Sequence, residues 1–184
     1  MGRDVDDAIE ALKGSTASLQ EARTQLRKRE GIYAWWMVGT PLSCAPATRH
    51  PSERGLGLVY VGIAPSGLGG KSTLRSRVLG NHLNGNIAAS TLRLSLASLL
   101  IADLSLVPVK KRTKVVLSPE HNALLSEWQQ KHLRLTWHET ANPWDIEAEV
   151  VAALQPPLNL DDNKEHPFYE TLSAARRALR SAAR

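Results

Sequence analysis

The sequence predicts an α+β domain. Three observations carry this: a pair of β-leaning segments at residues 31–38 and 58–62, an alternating strand at 133–137, and amphipathic helical stretches between and around them. The repeated strand–helix alternation that a parallel sheet requires is missing. The 184 residues suit one domain, and 42% hydrophobic residues suffice to fill one core.

Residues 4–29 read as helical, with Val5, Ile9 and Leu12 on one face, a break near Gly14, then Leu19, Ala22 and Leu26. Gly31-Ile32-Tyr33-Ala34-Trp35-Trp36-Met37-Val38 is a first strand, and Leu58-Val59-Tyr60-Val61-Gly62 a second. The loop between them, 40–57, carries Pro41, Pro46 and Pro51, so the strands pair as a long-looped hairpin. A glycine-rich turn at 65–71 leads to Ser72 or Thr73, which caps a helix bearing Leu74, Val78 and Leu79. A helix over about 90–103 buries Leu92, Leu96, Leu99 and Leu100, and residues 108–114 read as a basic connector. Ser118-Pro119-Glu120 opens the next helix, through Leu124, Leu125 and Trp128. Leu133, Leu135 and Trp137 alternate with polar residues as a third strand with one buried face. Asn142-Pro143-Trp144-Asp145 starts another helix by N-cap logic, and Gln155-Pro156-Pro157 stops it. The last helix, about 169–183, buries Leu172, Ala175 and Leu179 and leaves Arg176, Arg177, Arg180 and Arg184 outside.

No apolar run approaches the roughly 18–20 residues that a bilayer span needs. The polar, acidic start Met1-Gly2-Arg3-Asp4-Val5-Asp6-Asp7 lacks a secretory pattern, so a cytoplasmic protein is the expectation. Cys44 is alone, which excludes an internal disulfide and a cysteine metal cluster. The net charge of +5 favours a polyanionic partner.

Glu147 is the most telling position. At 3.6 residues per turn it shares a helix face with Val150, Val151 and Leu154, while Glu149 points toward water. A carboxylate on an apolar stripe is costly unless a cation, donors or a metal pairs it.

Gly31-Ile32-Tyr33, Tyr60-Val61-Gly62, Leu74-x-x-Arg77, Glu147 and Pro157-Leu158-Asn159, in this order, resemble the GIY-YIG nuclease family. The tail is similar to the amino-terminal incision domain of the bacterial excision-repair nuclease: Glu147 and Asn159 keep its spacing, and 161–168, Asp161-Asp162-Asn163-Lys164-Glu165-His166-Pro167-Phe168, is similar to the Asp-Asp-Lys…Pro-Phe that follows there. The resemblance implies a small three-stranded antiparallel sheet flanked by helices. It implies a nuclease domain over 30–168 with a helical insertion at about 90–131, between an N-terminal helical extension (1–29) and a basic C-terminal helix (169–184).

Carried over by position, the resemblance implies an endonuclease that hydrolyses DNA phosphodiester bonds. Tyr33 would help deprotonate the attacking water, and Tyr60 would orient it. Arg77 would hold the scissile phosphate, as suits an always-charged guanidinium. Glu147 would bind one Mg²⁺ or Mn²⁺ ion, and Asn159 would position the site or a phosphate.

Two departures stand out. Many relatives carry Lys after the second motif, where this chain has Ile63; Arg75, Lys71 and His82 are the candidates to compensate. Some relatives place His four residues after the Arg, where this chain has Asn81. His82 lies five away, a spacing that a regular helix rotates well off the Arg face. It stays a general-base candidate whose ordinary reading is a surface or capping residue.

Lys110, Lys111, Arg112 and Lys114, with Lys71 and Arg75, are candidate nucleic-acid contacts; the first four, with the carboxy-terminal arginines, would also supply the phosphate contacts of a catalytically silent DNA-binding module of this fold. A P-loop-like stretch, Pro65-Ser66-Gly67-Leu68-Gly69-Gly70-Lys71-Ser72, with Leu99-Leu100-Ile101-Ala102-Asp103 imitating a metal-binding strand, points to a nucleotide-binding protein instead. Pro65 stands where that motif needs Gly.

Overall fold

A computed structural model describes residues 2–40, 42, 48–161 and 163–183. Met1, Pro41, Cys44, Pro46, Asp162 and Arg184, named above, lie outside the described residues. In chain order the elements are α1 (Arg3–Leu12), α2 (Leu19–Gln25), β1 (Gly31–Val38), β2 (Leu56–Ala64), a π-helix (Ser76–Leu83) and α3 (Thr91–Leu99). Then come β3 (Pro108–Lys111), β4 (Lys114–Leu117), α4 (Pro119–His132), β5 (Leu133–Glu139), a 3₁₀ turn (Pro143–Asp145), α5 (Glu147–Leu154) and α6 (Tyr169–Ala182).

The strand at 31–38 carries no charge and becomes the middle of a three-stranded sheet ordered β2-β1-β5, antiparallel throughout. A middle strand covered on both faces has no place for a charge. Tyr33, Trp35 and Met37 face a core completed by α2, the π-helix, α3 and α6. Ile32, Ala34 and Trp36 face the opposite layer, built from α1 and α5. Trp36 donates to Thr136 Oγ1 at 2.9 Å, and that hydroxyl donates to Leu12 O at 2.7 Å, which ties the end of α1 to the sheet.

The β1–β2 register slips between Trp35 and Trp36, so Val59 is an extra residue in β2. Val59 and Tyr60 consequently both pack into the α2/α3 core, where a regular strand would send them to opposite faces. Re-aiming a side chain is a common use of a bulge. The free edge of β2 is closed by the chain after α5: Leu158 N donates to Val59 O at 2.9 Å, and the Asn159 amide both accepts from Val61 N (2.9 Å) and donates to Val61 O (2.8 Å).

Three expectations need correction. The basic connector at 108–114 is a two-stranded hairpin, β3–β4, so the 90–131 insertion is not purely helical. Its turn, Arg112-Thr113, carries φ of 56° at Arg112 and lacks the Asn-Gly pattern that announces such turns. Asn142 does not cap a helix with its side chain; it is left-handed (φ 50°) and leads into the separate 3₁₀ turn, with α5 beginning at Glu147. The P-loop reading fails on context, because the sheet is antiparallel and Leu99-Leu100-Ile101-Ala102-Asp103 closes α3 and turns into a loop.

Candidate active site

The site forms where the middle of β2, the π-helix, the start of α3, the start of α5 and α6 meet. Tyr60, Arg77, Thr91, Glu147, Asn159 and Arg176 line one hollow of about 170 Å³, together with Leu158, Leu160 and Asp161. Two larger hollows lie elsewhere; the larger of them, about 700 Å³, is a basic groove around Arg27, Lys28, Arg29 and Lys71. The candidate acid, phenol and guanidinium converge in the small hollow.

Tyr33 lies one layer deeper and is fully buried. Its hydroxyl sits 2.6 Å from His82 Nε2, with the Arg77 guanidinium within electrostatic reach. Burial, then the neighbouring Tyr60, push Tyr33 well above the usual phenol range, and Arg77 only partly offsets them. Tyr60 Oη lies 3.0 Å from Thr91 Oγ1. Gly62 sits opposite Tyr33 in the sheet, and a Cβ there would fall 2.6 Å from Tyr33 Oη and 2.9 Å from Tyr60 Cε1. The glycine of the second motif is therefore needed to seat both phenols.

His82 overturns the expectation of a surface residue: it is 0% exposed and stands between Tyr33 and Ser90, with Nδ1 2.6 Å from Ser90 Oγ. The reason is the winding of its helix. The Asn84 N–H bonds to Leu79 O, five residues back, and the wide turn carries Val78, Leu79, His82 and Leu83 all inward. On an α-helix the five-residue step from Arg77 rotates about 140° from its face; the roughly 4.4 residues per turn of a π-helix leave a small offset. Burial, then Arg77 and Arg93, hold His82 down to a pKa of about 3, so the imidazole is neutral.

Arg93 locks this widened turn from below. Fully buried, it donates to the His82 and Leu83 carbonyls, to Ser126 Oγ, Gln129 Oε1, and both oxygens of Asn122. The sequence reading does not single it out; its place between Leu92 and Leu96, on a helix of otherwise apolar and hydroxyl side chains, is the available signal.

Glu147, at the first turn of α5, is half-buried and faces the hollow, while Val150, Val151 and Leu154 of the same helix are buried in the other core layer and Glu149 is exposed. Asn159 is buried with both ends of its amide committed to Val61, which fixes β2 beside Tyr60.

A family model described as the GIY-YIG catalytic domain matches residues 31–178. The chain belongs to the GIY-YIG family. No curated protein and no solved structure matches it significantly. The family is generally one of nucleases, which implies a nucleic-acid substrate. No helix among the described residues is long and apolar enough to cross a membrane.

Within this GIY-YIG domain, the candidates to replace the missing cation fall apart. Ile63 is buried on the α1/α5 side of the sheet. Arg75 donates to the Arg23 and Leu26 carbonyls and so caps the end of α2. Lys71 lines the basic groove, not the hollow. Lys110, Lys111, Arg112 and Lys114 are exposed on the β3–β4 hairpin. Arg176 is a second guanidinium lining the hollow, and it corrects the expectation that the α6 arginines all stay outside: it is only 5% exposed. Leu172, Arg176 and Leu179 follow the spacing of a buried stripe, a signal that charge alone obscures.

Proposed function

We propose that this chain is a divalent-metal-dependent endonuclease that hydrolyses phosphodiester bonds in DNA. One observation carries the reading: Tyr60, Arg77 and Glu147 share a single hollow, with the Tyr33–His82 pair directly beneath it. Packing alone gives no reason to gather a phenol pair, a guanidinium and a carboxylate at one point.

The donor set suits a hard cation. Glu147 and Asp161 are the carboxylates of the hollow, and no group of three His, Cys, Asp or Glu able to hold an ion occurs among the described residues. Mg²⁺ and Mn²⁺ fit, since Mg²⁺ commonly takes one or two carboxylates and completes its shell with water and phosphate, whereas a zinc site needs three or four protein ligands. Glu147 would hold the ion, which when bound supplies positive charge to the phosphodiester and its leaving oxygen.

The protein's own groups account for the proton. Arg77 lies within electrostatic reach of Tyr33 in the resting site; a phosphate entering the hollow would draw Arg77 to its oxygens and open Tyr33 to the attacking water. The water gives its proton to the Tyr33 oxygen as Tyr33 passes its own to His82 Nε2. The new P–O bond forms, the bond to the leaving oxygen breaks, and that oxygen takes a proton from solvent. Phosphate charge beside Arg77 also relieves part of what holds His82 down, which makes it the better acceptor.

Duplex contacts would come from the hairpin cations Lys110, Lys111, Arg112 and Lys114, and from Lys71 in the basic groove. The test is incubation of the purified protein with end-labelled duplex, nicked, branched and single-stranded DNA in Mg²⁺, Mn²⁺ or chelator. Cleavage of at least one substrate, abolished by chelator, is expected. Tight DNA binding with no cleavage in either metal would instead favour a catalytically silent module.

A further inference from the structure

Arg176 is a costly residue for the place it occupies. Positions 172, 176 and 179 form the buried stripe of α6, and Leu172 and Leu179 fill theirs with hydrocarbon. A leucine at 176 would join α6 to α3 without desolvating a charge. Among the described residues the guanidinium is held by one nitrogen, Nη2, which donates to Ser95 Oγ at 2.6 Å and to Thr91 O at 3.4 Å, both neutral acceptors. Its Nε is buried without a hydrogen-bond partner among those residues, as are Nε of Arg77 and Nε of Arg93, so these arginines differ at their Nη nitrogens.

The contrast with Arg93 is informative. Arg93 is buried still more deeply and spreads its two Nη nitrogens over six acceptors, as a structural guanidinium does. Arg176 is bonded far more sparsely, and it lines the same hollow as Tyr60, Arg77 and Glu147. The surroundings bias it further: Tyr60 and Asp161 lie within its electrostatic reach, and Arg180 repels it from the solvent side of α6. A rigid fork of donors anchored at one corner and turned to a polar hollow suits a phosphate oxygen.

We propose that Arg176 is a second phosphate-binding residue of this active site, donating with Arg77 to the non-bridging oxygens of the scissile phosphodiester. The inference rests on the nuclease reading above and adds to it a catalytic residue from α6. Two guanidiniums on one phosphate neutralise the charge that builds as the water attacks, and they hold the phosphorus over the Tyr33–Tyr60 pair. The same role makes α6 part of the catalytic unit and not an appendage.

The experiment compares the wild-type protein with Arg176→Gln and Arg176→Lys, each checked by thermal melting. Cleavage is measured in Mg²⁺, and binding in chelator to an oligonucleotide carrying a neutral methylphosphonate at the mapped cut position. Arg176→Gln is expected to lower kcat by about 100-fold, with Arg176→Lys recovering part of it. Wild type should lose more affinity on methylphosphonate substitution than either variant does, because only wild type has the full fork to lose. A folded Arg176→Gln that cleaves as fast as wild type overturns the inference. If Arg176→Gln fails to fold, Arg176→Lys decides: a methylphosphonate penalty equal to that of wild type overturns the inference too. Failure of the wild type to cleave any DNA contradicts the nuclease reading itself, a separate result.

Discussion

Tyr33 Oη lies 2.6 Å from His82 Nε2, between residues 49 positions apart, in a part of the molecule closed to solvent. Both groups are neutral, because burial pushes the phenol up and the imidazole down. A neutral pair this close shares one proton well and leaves one of its members ready to accept another.

Removing either member should therefore impair turnover more than stability. Tyr33→Phe keeps the ring and its packing, so a melting temperature within a few degrees of wild type is expected, with kcat down by about 100-fold or more. His82→Gln, which keeps a polar head near Tyr33, should fall less far. Melting curves and single-turnover cleavage check both.

The depressed His82 also fixes a pH dependence of stability. Its folded pKa of about 3 lies below the ordinary 6.5, so the unfolded chain binds the proton first. Stability is full above about pH 6.5 and falls as pH drops toward 3, with a slope of up to roughly 1.4 kcal/mol per pH unit from this group. Urea unfolding at several pH values should show that slope, and His82→Gln should flatten it.

Gly62→Ala should damage the site without touching a functional side chain. The added methyl meets the Tyr33 hydroxyl and the Tyr60 ring at under 3 Å. A destabilisation of about 1–3 kcal/mol and a loss of cleavage out of proportion to it are expected. Denaturant midpoints and cleavage rates together separate the two effects.

How much of the site is legible in the sequence depends on the physics involved. Tyr33, Tyr60 and Gly62 are legible because alternation along a paired hairpin fixes which side chains meet on each of its two buried faces. Glu147 is legible because a carboxylate on an apolar helix face is an anomaly even without a structure. His82 is not, since the expected rotation assumes an α-helix and the Ser76–Leu83 segment winds more widely. Arg176 escapes for the opposite reason: its charge argues for exposure, although its spacing from Leu172 and Leu179 marks a buried stripe. The β3–β4 hairpin escapes because Arg112 adopts a left-handed turn that residues of its type rarely take.

The hairpin should act on binding alone. Replacing Lys110, Lys111 and Arg112 by Ala removes exposed cations at the tip, which should weaken duplex binding and lower the salt slope by roughly 0.9 for each phosphate that is no longer neutralised. Titrations at several salt concentrations check this, and kcat at saturating DNA should not change. An unchanged salt slope would remove the hairpin from the DNA track.

On the proposed reading, the hollow is a metal-assisted cleavage site and Glu147 holds the ion. The most direct measurement pairs cleavage in Mg²⁺ with DNA binding in chelator, for wild type and Glu147→Ala. Cleavage reduced by about 100-fold or more with DNA affinity intact is the predicted result. A Glu147→Ala protein that cuts DNA at the wild-type rate would contradict it.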